Sequence, residues 1–281
     1  MPLFVIIAYI IIMGAVFVFR LLPEVYVEAF NDGVIAVVCL VGSYHLFRVF
    51  KRFQSGDSAR ISWLMFAIGL LGEGVGHVWY CSQEFIHGEV ESFPNMADTF
   101  IMAGAICYII SFWNFNRQLK SVELIKQGST RWLANSIFFV LVLLNCAFII
   151  YPTLSDPEEA LWLRVLYIYY PVFDMFLAYF CLHLALSFLT LGQSPVAKPW
   201  AVLVIAFMIF LVTDSAYAYF EVLGTYHPYM LINPGWGLAY LCVSHAAYLQ
   251  YKLMGSMQSI QIDANFWDDS DDDGPDIFAS V

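Results

Sequence analysis

Apolar residues along this chain gather into eight runs, each about 20 residues long and so able to cross a bilayer as a helix. The runs are approximately 3–22, 28–49, 61–84, 96–115, 132–151, 165–190, 200–222 and 235–253. Hydrophobic positions within them are continuous rather than alternating in twos, which predicts helices and argues against a membrane β-barrel. The first run, Pro2 to Phe19, has no basic segment before it and no small-residue cleavage site. It is therefore expected to be a first membrane helix rather than a removed signal. The predicted fold is all-α: a polytopic membrane bundle of about eight helices over residues 1–254. An acidic cytoplasmic tail, 255–281, follows and is expected to be disordered.

Composition agrees with the pattern. The chain has 281 residues, 61% hydrophobic and only 12% charged, against about a quarter charged in soluble domains. Lys and Arg orient the spans. Arg48, Lys51, Arg52, Arg60, Arg117, Lys120, Lys126, Arg131, Lys198 and Lys252 fall on one side, with only Arg20 and Arg164 on the other. That asymmetry predicts a multi-pass protein of the cell membrane with both termini cytoplasmic. Trp63, Trp113, Trp132, Trp162, Trp200 and Trp236 fall near span ends, where interfacial indoles are expected. The net charge of −11 is uneven, because seven of the 23 acids lie in "QIDANFWDDSDDDGPDIFASV". The spacing of Asp269, Asp271, Asp273 and Gly274 imitates the start of a calcium loop, but Ser280 stands where the closing Glu belongs. The tail is expected instead to dock a partner through Phe266, Trp267, Asp269, Asp271, Asp272 and Asp273. No feature suggests a nucleic-acid partner.

Against this apolar background the ionisable residues inside the runs carry the chemistry. "LLGEGVGHVWY" places Glu73 and His77 one helical turn apart, with Glu84 seven further on, all on one face. Gly72 and Gly76 form a small-xxx-small pair that lets a neighbouring helix approach closely. Glu28 and Asp32 open the second span, Asp98 lies one turn into the fourth, and Asp174, Asp214 and Glu221 occupy the sixth and seventh. All of these are predicted on the outer half. Only Glu73, His183 and His245 fall near mid-depth. A charged side chain facing lipid costs about 2.5–3.5 kcal/mol on insertion scales, so these groups are expected to face a protein-lined space. Tyr217, Tyr219, Tyr226 and Tyr229 near the outer mouth are candidates for an aromatic cage.

An internal repeat frames the acids. "VWYCSQEFIHG" and "SAYAYFEVLGT" end the third and seventh spans, and aligning Glu84 with Glu221 brings Tyr80 onto Tyr217 and His77 onto Asp214. "FPNMADTF" and "YYPVFDMF" share a Pro-to-Asp opening. A duplicated helix hairpin is expected, and such repeats often enclose a central site.

These motifs resemble those of the multi-span sensory membrane domains, MASE-type in character, that precede GGDEF, EAL or histidine-kinase modules in bacterial signalling proteins. The matching residues are Pro94 with Asp98, Pro171 with Asp174, Asp214 with Tyr217, and His245 beside Ala246 and Ala247. The likeness covers roughly residues 60–250. It departs at Gly235, where an acid is expected, and no output module follows the last span. The resemblance implies a sensor whose output is a separate protein.

Several chemistries lack their residues. The six cysteines form no CxxC, so neither a disulfide framework nor a zinc site is suggested. No Lys lies mid-span to carry a retinal, and no phosphate-cradling loop or nucleophile elbow is present. A haem or metal on His77, His183 and His245 is a lesser alternative to plain interhelical hydrogen bonds. The expected function is a non-enzymatic membrane sensor or scaffold. It would bind a small ligand in an outward acidic pocket of Glu73, His77, Glu84, Asp98, Asp174, Asp214, Tyr217, Glu221 and His245. It would signal to a cytoplasmic partner. The alternatives are a cation- or proton-coupled transporter or channel subunit, and an accessory subunit of a larger membrane complex.

Overall fold

A computed structural model of the chain describes residues 2–87, 94–121, 129–155, 160–191 and 197–269. Among them there are helices and no strands. The helices are α1 (Leu3–Val18), α2 (Glu24–Arg52), α3 (Ser58–His87), α4 (Met96–Ser121), α5 (Ser129–Asn145), α6 (Tyr151–Ser155), α7 (Leu161–Tyr167), α8 (Tyr169–Leu191), α9 (Ala197–Val222) and α10 (Asn233–Asp269). A π-helical turn, Cys146–Ile150, joins α5 to α6.

Six segments are long and apolar enough to cross a membrane: Tyr26–Arg52, Ala59–His87, Met96–Arg117, Arg131–Ser155, Leu161–Ala185 and Ala197–Val222. They mark the chain as a multi-pass membrane protein. Each of the eight predicted runs coincides with helix, but two are not among the six. The first, α1, has only 16 residues. The last lies on α10, whose Tyr240, Ser244, His245, Tyr248 and Gln250 lower its hydropathy. Burial explains how α10 tolerates them: Ala239, Leu241, Val243, Ser244, Ala246 and Ala247 are all buried, so most of this helix meets protein rather than lipid.

Helix packing closes a ring. In order α2, α3, α4, α8, α9 and α10 each touch the next, and α10 returns to α2. The α5 helix lies outside against α8, and α1 outside against α10, where the Tyr9 hydroxyl donates to the Pro234 carbonyl at 2.8 Å. The predicted close approach through Gly72 is present: a Cβ there would sit 2.8 Å from the Phe100 carbonyl of α4.

Large aromatic side chains fill the ring at the end where α2 finishes and α3 begins. Phe66 meets Phe112 edge-on at 5.1 Å, Phe112 meets Phe207 at 4.8 Å, and Phe115 stacks on Trp200 at 3.4 Å. This corrects the expectation for two indoles. Trp63 and Trp200 are buried in this core, while Trp113, Trp132 and Trp162 are exposed as interfacial residues should be. An indole near a span end faces inward when its helix turns that face to the ring, which position along the span does not reveal.

Two irregularities follow from proline. The predicted sixth span is two helices, broken by a turn at Ile168, three residues before Pro171; the ring of that proline crowds the carbonyl one turn earlier. The π turn before Pro152 relieves the same clash in the fifth span. The predicted boundary at 254 falls inside α10, which continues to Asp269. Residues 255–269 lack proline and have one glycine, so nothing there stops a helix already nucleated within the bundle. Asp271, Asp272 and Asp273 lie outside the described residues, and Phe266, Trp267 and Asp269 are described as helical backbone only.

Candidate functional site: a carboxyl-lined cavity within the helix ring

At the other end of the ring the aromatic packing gives way to a cavity of about 1200 Å³. Its floor is Tyr108, Phe207, Phe210 and Tyr240, the upper surface of the aromatic core. Its walls carry eight carboxyl groups against one guanidinium, Arg164, and one imidazole, His77.

The carboxyl groups and the imidazole come from five helices of the ring, and Arg164 comes from α7. From α3 come Glu73, His77, Tyr80 and Glu84, on one face at i, i+4, i+7 and i+11. Most of the acids have a donor. The Tyr240 hydroxyl donates to Glu73 Oε2 at 2.8 Å, joining α10 to the middle of α3. His77 Nδ1 donates to Asp32 Oδ1 of α2 at 2.8 Å. Asp98 Oδ1 accepts from Tyr80 at 2.6 Å and from Tyr170 of α8 at 2.9 Å, and its second oxygen accepts from the Asn95 N–H at 2.8 Å. The Trp236 indole donates to Asp214 Oδ1 at 2.5 Å. At the mouth, Tyr226 donates to Glu28 Oε1 at 3.1 Å and accepts from Asn233 Nδ2 at 2.9 Å. Burial, reinforced by the neighbouring Glu28 carboxylate, pushes the Tyr226 hydroxyl well above its ordinary pKa and keeps it a donor.

Two acids differ. Glu84 Oε2 and Asp174 Oδ2 are buried and have no hydrogen-bond donor. Each of these residues faces another carboxyl group instead, Glu84 that of Asp32 and Asp174 that of Asp214. Like charges so close cannot both persist without a proton or a cation between them.

Of the residues singled out from the sequence, Glu73, His77, Glu84, Asp98, Asp174, Asp214, Tyr217 and Glu221 all line the cavity. His245 does not: it stacks on Tyr248 of its own helix, 6.2 Å between centroids. Position 245 lies about two and a half turns below Trp236, on the aromatic side of the floor. The proposed histidine trio is also dispersed, since His183 pairs with Asn135 Oδ1 at 3.2 Å. Among the described residues no three His, Cys, Asp or Glu side chains converge to hold a metal ion. Of the four cage tyrosines, Tyr217 and Tyr226 line the cavity, packed edge to face at 4.9 Å. Tyr219 faces outward against Phe148, and Tyr229 donates to the Leu22 carbonyl.

Glu28 and Asp32 belong to the site although the predicted pocket omits them. Their i, i+4 spacing at the start of α2 is the same signal that Glu73 and His77 give. Arg164, Tyr170, Trp236 and Tyr240 also line the cavity, and no sequence pattern distinguishes them from packing residues. Comparison with protein-family models, curated proteins and solved structures returns no match. The class that fold and site define is a multi-pass helical membrane protein with an acidic cavity open at one end.

Proposed function

We propose that this protein is a non-enzymatic membrane sensor that binds a small cationic ligand in the carboxyl-lined cavity and relays occupancy to a cytoplasmic partner. One observation carries the reading: α10 touches the site and leaves it. Its Trp236 and Tyr240 donate to Asp214 and Glu73 in the cavity. At the far end of the same helix, Tyr251 is bound to α2. Arg48 Nη2 donates to its hydroxyl at 2.7 Å, Arg52 Nη1 donates to its carbonyl at 2.8 Å, and the Arg52 guanidinium lies 3.4 Å from its ring centroid. At about 1.5 Å per residue, roughly 22 Å of rigid helix separates Trp236 from Tyr251, and α10 continues to Asp269. A ligand competing for Asp214 or Glu73 acts directly on that rod.

The aromatic floor supports a receptor over a conduit, since a conducting path needs polar groups through the other half. The basic side of the bundle is the cytoplasmic one in this reading, with the cavity facing out and α10 leading in. Eight membrane helices and the resemblance to bacterial sensory domains belong to the same reading. So does the duplicated hairpin: His77 and Asp214, paired by the repeat, both face the cavity. The acidic tail docks the partner.

A thermal-stability screen of the full chain in detergent, against inorganic cations, amines, amino acids and sugars, tests binding. Labelling of Ser256→Cys, an exposed position on α10, tests the relay in the same samples. A compound that raises the melting temperature and alters the labelling rate is expected. A thermal shift with unchanged labelling removes the relay, and no shift with any compound removes the binding site.

A further inference from the structure

We propose that the cavity recognises a linear organic dication of the polyamine class, one ammonium at the Asp32–Glu84 pair and the other at the Asp174–Asp214 pair. The proposal rests on the ligand-binding reading above and assigns the ligand's chemistry.

Among the acids of the cavity, the unmet hydrogen bonds locate two points. Most cavity acids already accept from Tyr, Trp, His or backbone donors, whereas Glu84 Oε2 and Asp174 Oδ2 accept from none. Both residues are more than nine-tenths buried, at 5% and 8% exposure, and both line the cavity. An unsatisfied buried acceptor costs about 1–3 kcal/mol, more when charged. An ammonium group offers three N–H donors and a positive charge. Placed between the members of a carboxyl pair, it satisfies the orphan oxygen and removes the repulsion together.

Topology makes the points separate. Asp32 and Glu84 come from α2 and α3, and Asp174 and Asp214 from α8 and α9. In the ring α3 and α8 are parted by α4, and α2 and α9 by α10. One small ion therefore does not serve both pairs. The same cavity lining carries the rings of Phe210, Tyr217 and Tyr240, together with Glu73 and His77. Such rings suit a methylene chain and add cation–π attraction at its ends. A volume of about 1200 Å³ exceeds the usual range for small-ligand sites, about 300–1,000 Å³, so a triamine also fits. A divalent metal would need about six oxygen ligands converging on one point, and no such convergence exists among the described residues.

The experiment uses the full chain in detergent at fixed ionic strength, with melting temperature read against butylamine, a series of α,ω-diamines of increasing length, spermidine, calcium and sodium. Half-saturation by the best diamine is expected at roughly a hundredfold lower concentration than by butylamine, with a clear optimum in chain length. Glu84→Gln and Asp174→Asn are each expected to reduce the best diamine to the butylamine level. Butylamine or calcium equalling every diamine overturns the two-point assignment and leaves cation binding intact. No response to any compound ends both readings. If either variant fails to fold, the chain-length series on the unmodified protein decides alone.

Discussion

At the scale of single residues, Asp214 separates a binding role from a packing one. It accepts a 2.5 Å bond from Trp236 and faces Asp174. Asp214→Asn keeps an acceptor for the indole and removes the charge. Its basal stability is expected to stay within about 1 kcal/mol of the parent, while stabilisation by cationic ligands is lost. Asp214→Leu strands the indole N–H and is expected to cost about 1–3 kcal/mol. Equal basal losses in thermal melts of the two variants would show that the carboxylate only holds helices together. The cavity's excess of acids raises the local cation concentration, so any cation response is also expected to fall as sodium chloride is added.

Among elements, the α3–α4 contact depends on the absence of a side chain at Gly72. A Cβ there meets main chain, the Phe100 carbonyl at 2.8 Å, which cannot rotate away. Gly72→Ala is therefore expected to destabilise by about 1–3 kcal/mol. It should also disturb the cavity, because the same stretch of α3 presents Glu73 and His77. Gly14→Ala on α1 is the matched control. Nothing lies within 4 Å of a Cβ there, so the gain in helix propensity, up to about 1 kcal/mol, is expected to appear. Paired melts of the two alanine variants check the assignment, and a harmless Gly72→Ala would mean that the two helices do not meet this closely.

For the whole molecule the predictions concern sidedness and partners. With Arg and Lys concentrated at the aromatic end of the ring, a reporter fused after Val281 is expected on the cytoplasmic side. A signal from the opposite side would reverse the direction of the cavity as well. Deleting residues 263–281 removes the last helical turns of α10 together with the acidic tail. The membrane bundle is expected to melt unchanged, because the described helix contacts that close the ring lie earlier in α10, while capture of a cytoplasmic partner is lost. Unchanged capture would move docking to the basic loops around Arg48–Arg60 and Arg117–Arg131.

Sequence alone determined the helices and most of the acids, because both are local matters. Twenty apolar residues without a breaker form a helix in any bilayer, and i, i+4, i+7 spacing puts Glu73, His77 and Glu84 on one face whatever lies opposite. The cost of facing lipid then requires an interior for every one of them. Tertiary structure decided who meets whom. Asp32 joins His77 and Glu84 only because α2 packs along α3, and Tyr240 reaches Glu73 across 167 residues of chain. Trp63 and Trp200 sit near span ends as lipid-facing indoles do, yet the rotation of their helices turns them into the core. His245 is as polar as His77 but lies below the floor, partly exposed and stacked on Tyr248 of its own helix. Rotation and neighbour choice depend on contacts between distant segments, and a single helix carries only its own side of each.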